Sequence, residues 1–396
     1  MNILIFNCGS SSQGFKVYQV SADGAQQVMA SGKAKNVATQ TQSQPVIDWK
    51  IKDQAGSTPA DLSTHRLAAQ ANLAILKEHH ISIDAIGHRF VHGGEYFKGT
   101  THIDVLALEK LRACFPLAPI HNPNSFSVIE VCGEELPGVP QYAVFDTAFH
   151  ASLPEEAKRY AIPRELAVKH SFHKCGFHGL SYQFVSAKSA EYLGKPLESL
   201  KLILCHLGTG GSSITAVRDG HSIDTSMGYS PLPGLVMSTR CGDIDPEIIL
   251  ELIRQGYSAD EVSKILNNQS GLIGLSGFSS NLAEIIEAGE QGNQDCRIAF
   301  GVYANRLKTY LGAYTWLQNG ADAIVFTDDI GVKSWKLREA VCGGVENLGV
   351  LLDAEANRSA PLEKASTVSR PESRTRILVV PTDEEQVILR EVLAQL

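Results

Sequence analysis

The sequence predicts an α/β protein with mixed sheets and an internal duplication, on three observations. Strand-sized apolar runs alternate with helical periodicity from end to end, the pattern of layered α/β architecture. A strand, turn, strand unit occurs twice. Ile3-Leu4-Ile5-Phe6 ends in Asn7, passes a Gly/Ser turn and resumes at Phe15, while Leu202-Ile203-Leu204-Cys205 ends in His206, passes Leu207-Gly208-Thr209-Gly210-Gly211 and resumes at Ile214. The length of 396 residues exceeds what one core usually serves, so two domains are expected. Glycine turns after buried strands aim several backbone N–H groups at one point, where they hold an anion such as phosphate. Two such turns suggest a phosphate between duplicated halves.

Taken in order, residues 1–20 read as a hairpin, 33–60 as polar strands and 61–80 as a helix built on Leu62, Leu67, Leu73, Ile75 and Leu76. A strand over 85–92 ends at Gly93-Gly94. Residues 106–114 are helical, 117–123 form a turn-rich loop, 125–132 are a short helix and 141–145 a buried strand with Asp146 at its C-terminal end, where ligands collect in open α/β sheets. Loop and helix over 154–171 precede Gly176-Phe177-His178-Gly179 and a helix to Tyr192. Helices are expected over 246–255, 259–266 and 298–318, a third buried strand over 323–326 running into Thr327-Asp328-Asp329-Ile330-Gly331, a helix over 337–347, a strand over 376–380 and a last helix over 383–394. Residues 359–373 are expected to be a mobile loop.

Composition bounds the partners. Hydrophobic residues make up 43% and charged residues 20%, and the formal net charge of -8 argues against a broad nucleic-acid or anionic-membrane surface. No apolar run approaches the ~20 residues that span a bilayer. The chain enters a strand almost at once, leaving no room for a signal peptide, so the expected location is the cytoplasm. Eight scattered cysteines lack Cys-x-x-Cys or zinc spacing and read as reduced thiols.

Candidate chemistry lies at strand ends and glycine-bounded turns: Asn7, His88-Arg89, His121-Asn122, Asp146, His178, His206, Arg240 and Glu384. Two arginines, histidines and an Asp/Glu pair suit phosphoryl transfer, which needs alignment and charge neutralisation more than covalent chemistry. Arginine grips oxygens bidentately and stays charged. Each has a structural reading beside it. Arg89 could pair with a buried carboxylate, His178 could be a satisfied core histidine, Asp146 a helix cap and Glu384 a helix-dipole partner. His88 and His92 have the i, i+4 spacing of zinc ligands, but on a strand. A Cys/His nucleophile would pair Cys175 with His178, or Cys205 with His206, and the second pair points to opposite faces of one strand.

The ordered motifs resemble the acetate kinases of the actin-like ATPase and sugar kinase superfamily. They are Asn7-Cys-Gly-Ser-Ser-Ser12, Gly87-His-Arg-Phe-Val-His-Gly-Gly94, Leu117-Ala-Pro-Ile-His-Asn-Pro123, Phe145-Asp-Thr-Ala-Phe-His150, Gly176-Phe-His-Gly179, Cys205-His-Leu-Gly208, Asp224-Thr-Ser-Met-Gly228, Thr239-Arg-Cys-Gly-Asp-Ile-Asp-Pro246 and Pro381-Thr-Asp-Glu-Glu385. The resemblance implies a duplicated RNase H-like fold, two domains with mixed sheets around a central cleft, residues 1–147 with 385–396 forming one and 148–384 the other. It implies phosphoryl transfer between acetate and a phosphate donor to give acetyl phosphate, with Mg²⁺ or Mn²⁺, in a homodimer. Arg89 and Arg240 would hold the carboxylate and the moving phosphoryl group, His178 its equatorial oxygens, and Asp146 the attacking carboxylate or a metal-bound water. Asn7 and Glu384 would act on the metal. Val91, Ile120, Phe177 and Pro231 would surround the acyl methyl group. Donor contacts would come from His206, Leu207, Gly208, Thr209 and Gly210, from Asn281, Leu282 and Ala283, and from Asp329, Ile330, Gly331, Val332 and Lys333.

Departures from the ATP-using pattern cluster on the donor side. Gly14 replaces a usual Lys, Thr209 an Asn, Asn281-Leu282-Ala283 an Asp-x-Arg, and Asp328-Asp329-Ile330-Gly331-Val332-Lys333 a Gly-Gly-Ile-Gly-Glu-Asn loop. Two carboxylates there are expected to fill the nucleotide slot and repel its phosphates. The pattern resembles the pyrophosphate-using branch, so pyrophosphate or orthophosphate is the expected partner in place of ATP or ADP. The rivals are an ATP-dependent acetate or propionate kinase and a silent actin-like binding module.

Overall fold

The computed structural model describes residues 1–9, 11–39 and 45–396. Ser10 of the first glycine turn, and residues 40–44 of the expected polar strands, lie outside the described residues. The chain forms two compact units, Met1–Ala148 with Asp383–Leu396, and Phe149–Thr382.

The first unit begins with a meander of β1 (Asn2–Cys8), β2 (Ser12–Val20), β3 (Gln26–Lys35), β4 (Val46–Ile51) and β5 (Gln54–Pro59). After α1 (His65–Glu78), whose N-cap Thr64 accepts from Leu67 N–H, come β6 (Ala85–Phe90), β7 (Thr101–His102), α2 (Val105–Ala113), α3 (Asn122–Glu135) and β8 (Gln141–Phe145). The sheet order is β5-β4-β3-β2-β1-β6-β8-β7, with β1, β6 and β8 parallel. Its core joins Leu4, Phe6, Phe15 and Val17 to Ala68, Leu73 and Leu76 of α1.

The second unit contains α4 (Glu155–Lys158), α5 (Arg164–His170), α6 (Gly179–Leu193), β9 (Lys201–Gly208), β10 (Gly211–Arg218) and β11 (His221–Thr225). Then follow α7 (Pro246–Arg254), α8 (Ala259–Lys264), α9 (Gly271–Ser276), α10 (Leu282–Glu290), α11 (Gln294–Leu317), β12 (Ala323–Thr327), α12 (Asp328–Lys333), α13 (Trp335–Cys342), α14 (Ala354–Arg358), β13 (Ser366–Thr367) and β14 (Arg376–Val379). Its sheet runs β11-β10-β9-β12-β14-β13, with β9, β12 and β14 parallel. The last helix, α15 (Glu384–Leu393), belongs to the first unit.

The duplication is visible strand by strand. In both sheets an antiparallel hairpin, β1–β2 or β9–β10, supplies the first of three parallel strands, followed by a short antiparallel edge strand. Buried runs such as Leu202–Cys205 and Ala323–Phe326 form because parallel strands are covered on both faces. Residues 359–373 differ from the expected mobile loop. They hold β13, a bridge from Leu352 to Ser369, and the buried Ser373 hydroxyl bonded to Gly349 and Thr375 carbonyls. The expected loop over 328–331 is instead the first turn of α12, and Asn122-Pro123 opens α3 instead of ending a loop.

Candidate active site

In the first unit, the candidate residues converge on one guanidinium. Arg89 leaves β6 beside β8, whose end carries Asp146, buried to 1% exposure. Arg89 Nε donates to Asp146 Oδ1 at 3.0 Å and Nη2 to Oδ2 at 2.6 Å, while Nη1 donates to Asn7 Oδ1 at 3.1 Å and lies 3.4 Å from Glu384. Burial disfavours the Arg89 charge, but the carboxylates of Asp146 and Glu384 outweigh it and its pKa is raised. Asn7 turns its amide N–H groups to Glu384 and Glu385, each at 3.1 Å. Glu384 and Glu385 open α15, and Asp383 caps it by accepting from Gln386 N–H. Asn7 and Glu384 carry oxygens of the kind Mg²⁺ takes, and here Asn7 Oδ1 accepts from Arg89 Nη1 while its amide nitrogen faces Glu384. Among the described residues no group of three or more His, Cys, Asp and Glu side chains is arranged to cage a metal. Val91 is buried just beyond β6, whereas Ile120 is 54% exposed before α3.

In the second unit, His178 caps α6 in the left-handed region at φ 59°, a strained conformation for a non-glycine residue. Its Nδ1 meets Ser213 Oγ at 2.8 Å, and Ser213 also bonds the Tyr182 hydroxyl. The ring stacks on His206, centroids 4.0 Å apart and planes 26° off parallel. His206, on β9, meets Ser181 Oγ through Nδ1 at 2.8 Å and Asp328 Oδ2 through Nε2 at 3.2 Å. His178 Nε2 and Arg240 Nη1 lie 3.5 and 3.2 Å from the point where a Cβ on Gly211 would stand. Burial lowers the Arg240 pKa, and no carboxylate pairs with this guanidinium among the described residues. A desolvated arginine without an internal counter-charge, aimed beside a histidine over a glycine turn, is a site for an anion.

Arg240 is held by a feature that its own segment does not announce. Backbone N–H groups of Ser270, Leu272 and Ile273 donate to the carbonyls of Thr239, Met237 and Ser238 at 3.0, 2.9 and 3.1 Å. Gly271 sits there at φ 63°, against the Met237 carbonyl, and a Cβ on it would also come within 2.7 Å of Arg240 O. A helix over 271–276 was not expected.

The remaining donor-side residues divide. Thr209, Asn281, Leu282, Ala283, Asp329, Ile330 and Lys333 line one cavity of about 530 Å³, together with Trp335 and Lys336. The side chains of Leu207, Leu282 and Val332 belong to the core, so Leu207 and Val332 can meet a ligand only through backbone atoms. Gly208, Gly210 and Gly331 contribute backbone alone. Asn281 caps α10 by accepting from Ala283 N–H. Phe177 is buried, its carbonyl 3.0 Å from His150 Nε2, and Pro231 is half-buried in the loop after β11.

Asp328 and Asp329, expected to fill the nucleotide slot, both turn toward the glycine turn after β9. Asp329 accepts from Thr209 N–H at 2.9 Å and from the Thr209 hydroxyl, and Asp328 reaches His206. Both carboxylates fold onto the glycine turn, and Asp329 also lines the cavity beside it. Buried Arg338 was also missed. It donates to the carbonyls of Gly331 and Val332 and to Asn357, pinning α12 from behind, and burial lowers its pKa to about 10.

Comparison with known proteins agrees over the whole chain. The family model described as the Acetokinase family matches residues 2–390. An acetate kinase of Clostridium novyi is 40% identical over 399 residues, covering 99% of this chain and 97% of that protein. One from Caldanaerobacter subterraneus is 42% identical over 403 residues, covering 99% and 98%. The crystal structure of an acetate kinase from Entamoeba histolytica superposes with a TM-score of 0.89 at 41% identity, covering 100% of this chain and 99% of that one. A propionate kinase from Francisella tularensis superposes with the same score at 37% identity, covering 98% of each chain. The chain belongs to the acetokinase family, and it is a kinase.

Proposed function

We propose that this kinase moves a phosphoryl group reversibly between acetate and a phosphate donor, forming acetyl phosphate, with pyrophosphate and orthophosphate as the donor pair. The observation that carries the transfer reading is Arg240, desolvated, without a carboxylate partner and aimed with His178 over Gly211. In this reading His178 and Arg240 stabilise charge that develops on the transferred group, which is electrostatic catalysis without proton transfer. Asp146 orients the attacking carboxylate. Arg89 uses three of its five guanidinium donors on Asp146 and Asn7, and offers the others to the acetate. Val91 and Ile120 of the first unit and, separately, Phe177 and Pro231 of the second are the apolar candidates for contact with the methyl group. Mg²⁺ or Mn²⁺, held by Glu384 and Asn7, supplies charge neutralisation on the phosphates when bound.

The donor reading is supported by Asp329. It takes both the Thr209 N–H and hydroxyl, and so withdraws from the glycine turn the donors that a longer polyphosphate arm would use. A second reading, ATP and ADP as the pair, is supported by the open cavity of about 530 Å³ beside that turn, with Trp335 on its wall. Hydroxamate formation from acetate, Mg²⁺ and hydroxylamine, run in parallel with pyrophosphate and with ATP, separates them. Turnover with ATP and none with pyrophosphate overturns the first; activity with neither favours a silent binding module. A series of acetate, propionate and butyrate tests the acyl limit. We also propose a cytoplasmic homodimer. No disulfide joins the eight cysteines, and α7 buries none of its residues while exposing Ile248, Leu250 and Ile253. Light scattering measures the assembly, and a monomeric mass overturns the dimer.

A further inference from the structure

We propose that Asp328 is a positioning residue of the transfer site, acting through His206 to set the ring plane of His178. Thr327 at the end of β12 pairs with His206 in the parallel register, and the chain then turns sharply at Asp328, at φ 62°. Most side chains are disfavoured in this conformation; glycine adopts it most easily, and Asp tolerates it better than most at some cost in strain. Asp328 nevertheless stands here, and its position is used. The turn throws its carboxylate back across the end of β9, where Oδ2 lies 3.2 Å from His206 Nε2. Space for it exists because Gly208 has no Cβ; one would collide with the carboxylate.

A carboxylate only accepts, so it fixes the His206 proton on Nε2, and in the neutral ring Nδ1 accepts from the Ser181 hydroxyl at 2.8 Å. With both nitrogens held, the His206 ring cannot turn about its axis. Its face is the platform on which His178 stacks at 4.0 Å. The His178 ring is tied on its other nitrogen to Ser213, so a tilt of His206 is passed to His178 Nε2, the atom that stands with Arg240 Nη1 over Gly211. Misplacing a transition-state donor by a fraction of an ångström is enough to cut a rate. Asp328 touches no substrate in this scheme. The bland alternative is that it merely favours the start of α12, but that helix is a single short segment of six residues.

The inference rests on His178 serving the transfer step, but not on which donor is used. The test compares Asp328→Gly and Asp328→Asn with wild type, using whichever donor the wild type accepts. Asp328→Gly relieves the backbone, so its Tm is expected to equal or exceed that of wild type. Its kcat is expected to fall about tenfold with the KM for acetate changed less than about twofold. Asp328→Asn, whose amide oxygen still accepts from Nε2–H, is expected to recover most of the rate. Histidine ring ¹⁵N NMR supplies a readout without turnover: wild-type His206 carries its proton on Nε2, and Asp328→Gly loses that preference. A kcat for Asp328→Gly within about twofold of wild type, an Asn variant as slow as the Gly variant, or an unchanged His206 signal each overturns the proposal. A wild type inactive with every donor overturns the transfer reading, while the NMR comparison still decides whether Asp328 holds His206.

Discussion

Arg89 clasps Asp146 through two parallel hydrogen bonds, Nε to Oδ1 at 3.0 Å and Nη2 to Oδ2 at 2.6 Å. Asp146 is 1% exposed, and the Arg89 side chain 15%, so the pair stands in a medium where an orphaned charge is costly. Replacing Arg89 by Met leaves Asp146 and Glu384 without their shared counter-charge. Urea unfolding at pH 7 is expected to show a loss of about 3 kcal/mol. The double variant with Asp146→Asn is expected to be more stable than Arg89→Met alone by at least about 1 kcal/mol, because the stranded carboxylate is gone. Strictly additive losses would mean that the two residues do not depend on each other.

Gly271 is the contact on which the Arg240 turn rests. Gly271→Ala meets the Met237 carbonyl and Arg240 O and also strains a residue at φ 63°. Stability is expected to fall by about 1–3 kcal/mol. The larger effect should be on activity, because the shift is delivered to the backbone of Arg240. A kcat/KM reduced at least about tenfold in protein that is still folded at the assay temperature is the expected outcome. Full activity would show that the turn tolerates displacement.

Much of this architecture was legible because it rests on burial. Strands β1, β9 and β12 are continuous apolar runs, and the repeated Asn7 and His206 at strand ends mark equivalent places in two sheets of like topology. Less legible were elements made by capping and turn geometry. Helix α10 starts at Asn281 with Glu284 three residues on, an N-terminal signal available in the sequence. Helix α12 starts on two aspartates, where only the tolerance of Asp for left-handed backbone hints at the turn. Nothing in the local sequence of Arg338 or Gly271 reveals its role. Arg338 answers to carbonyls of another helix, and Gly271 to a carbonyl more than thirty residues earlier; tertiary approach of this kind leaves no periodicity.

His88 supplies a pH dependence. Its Nε2–H reaches Gln141 Oε1 at 2.7 Å and its ring stacks on Phe6, with Nδ1 buried and without a hydrogen-bond partner among the described residues. Burial, partly offset by Gln141, pushes its pKa from 6.5 down to about 4. Between those values the unfolded chain takes a proton that the folded chain refuses, so stability falls as pH drops from about 6.5 to 4 and flattens below. The full effect of this one group is of the order of 3 kcal/mol. His65, also depressed by burial, adds in the same direction. Urea midpoints of His88→Gln at pH 4.5 and 7 are expected to differ less than those of wild type. An undiminished difference would assign the pH dependence to other groups.

Gly87 ties the fold of the first unit to its candidate metal residues. On β6 it faces α15 so closely that a Cβ would lie 2.6 Å from Ile388 Cγ2 and 2.9 Å from Val392 Cγ2 and Ile5 Cδ1. All three neighbours are core side chains without spare room. Gly87→Ala must therefore lift α15 from the sheet, at a cost of about 1–3 kcal/mol. The same helix begins with Glu384 and Glu385, which meet the Asn7 amide, and Glu384 lies 3.4 Å from Arg89. Lifting it should pull both carboxylates from Asn7. The expected result is a lower Tm together with a raised requirement for Mg²⁺, measured as the metal concentration at half-maximal rate. Gly87→Ala combined with Ile5→Val, which removes the Cδ1 methyl group that would lie 2.9 Å from the new Cβ, is expected to recover part of both. A lower Tm with an unchanged metal requirement would separate the packing of α15 from the placement of Glu384.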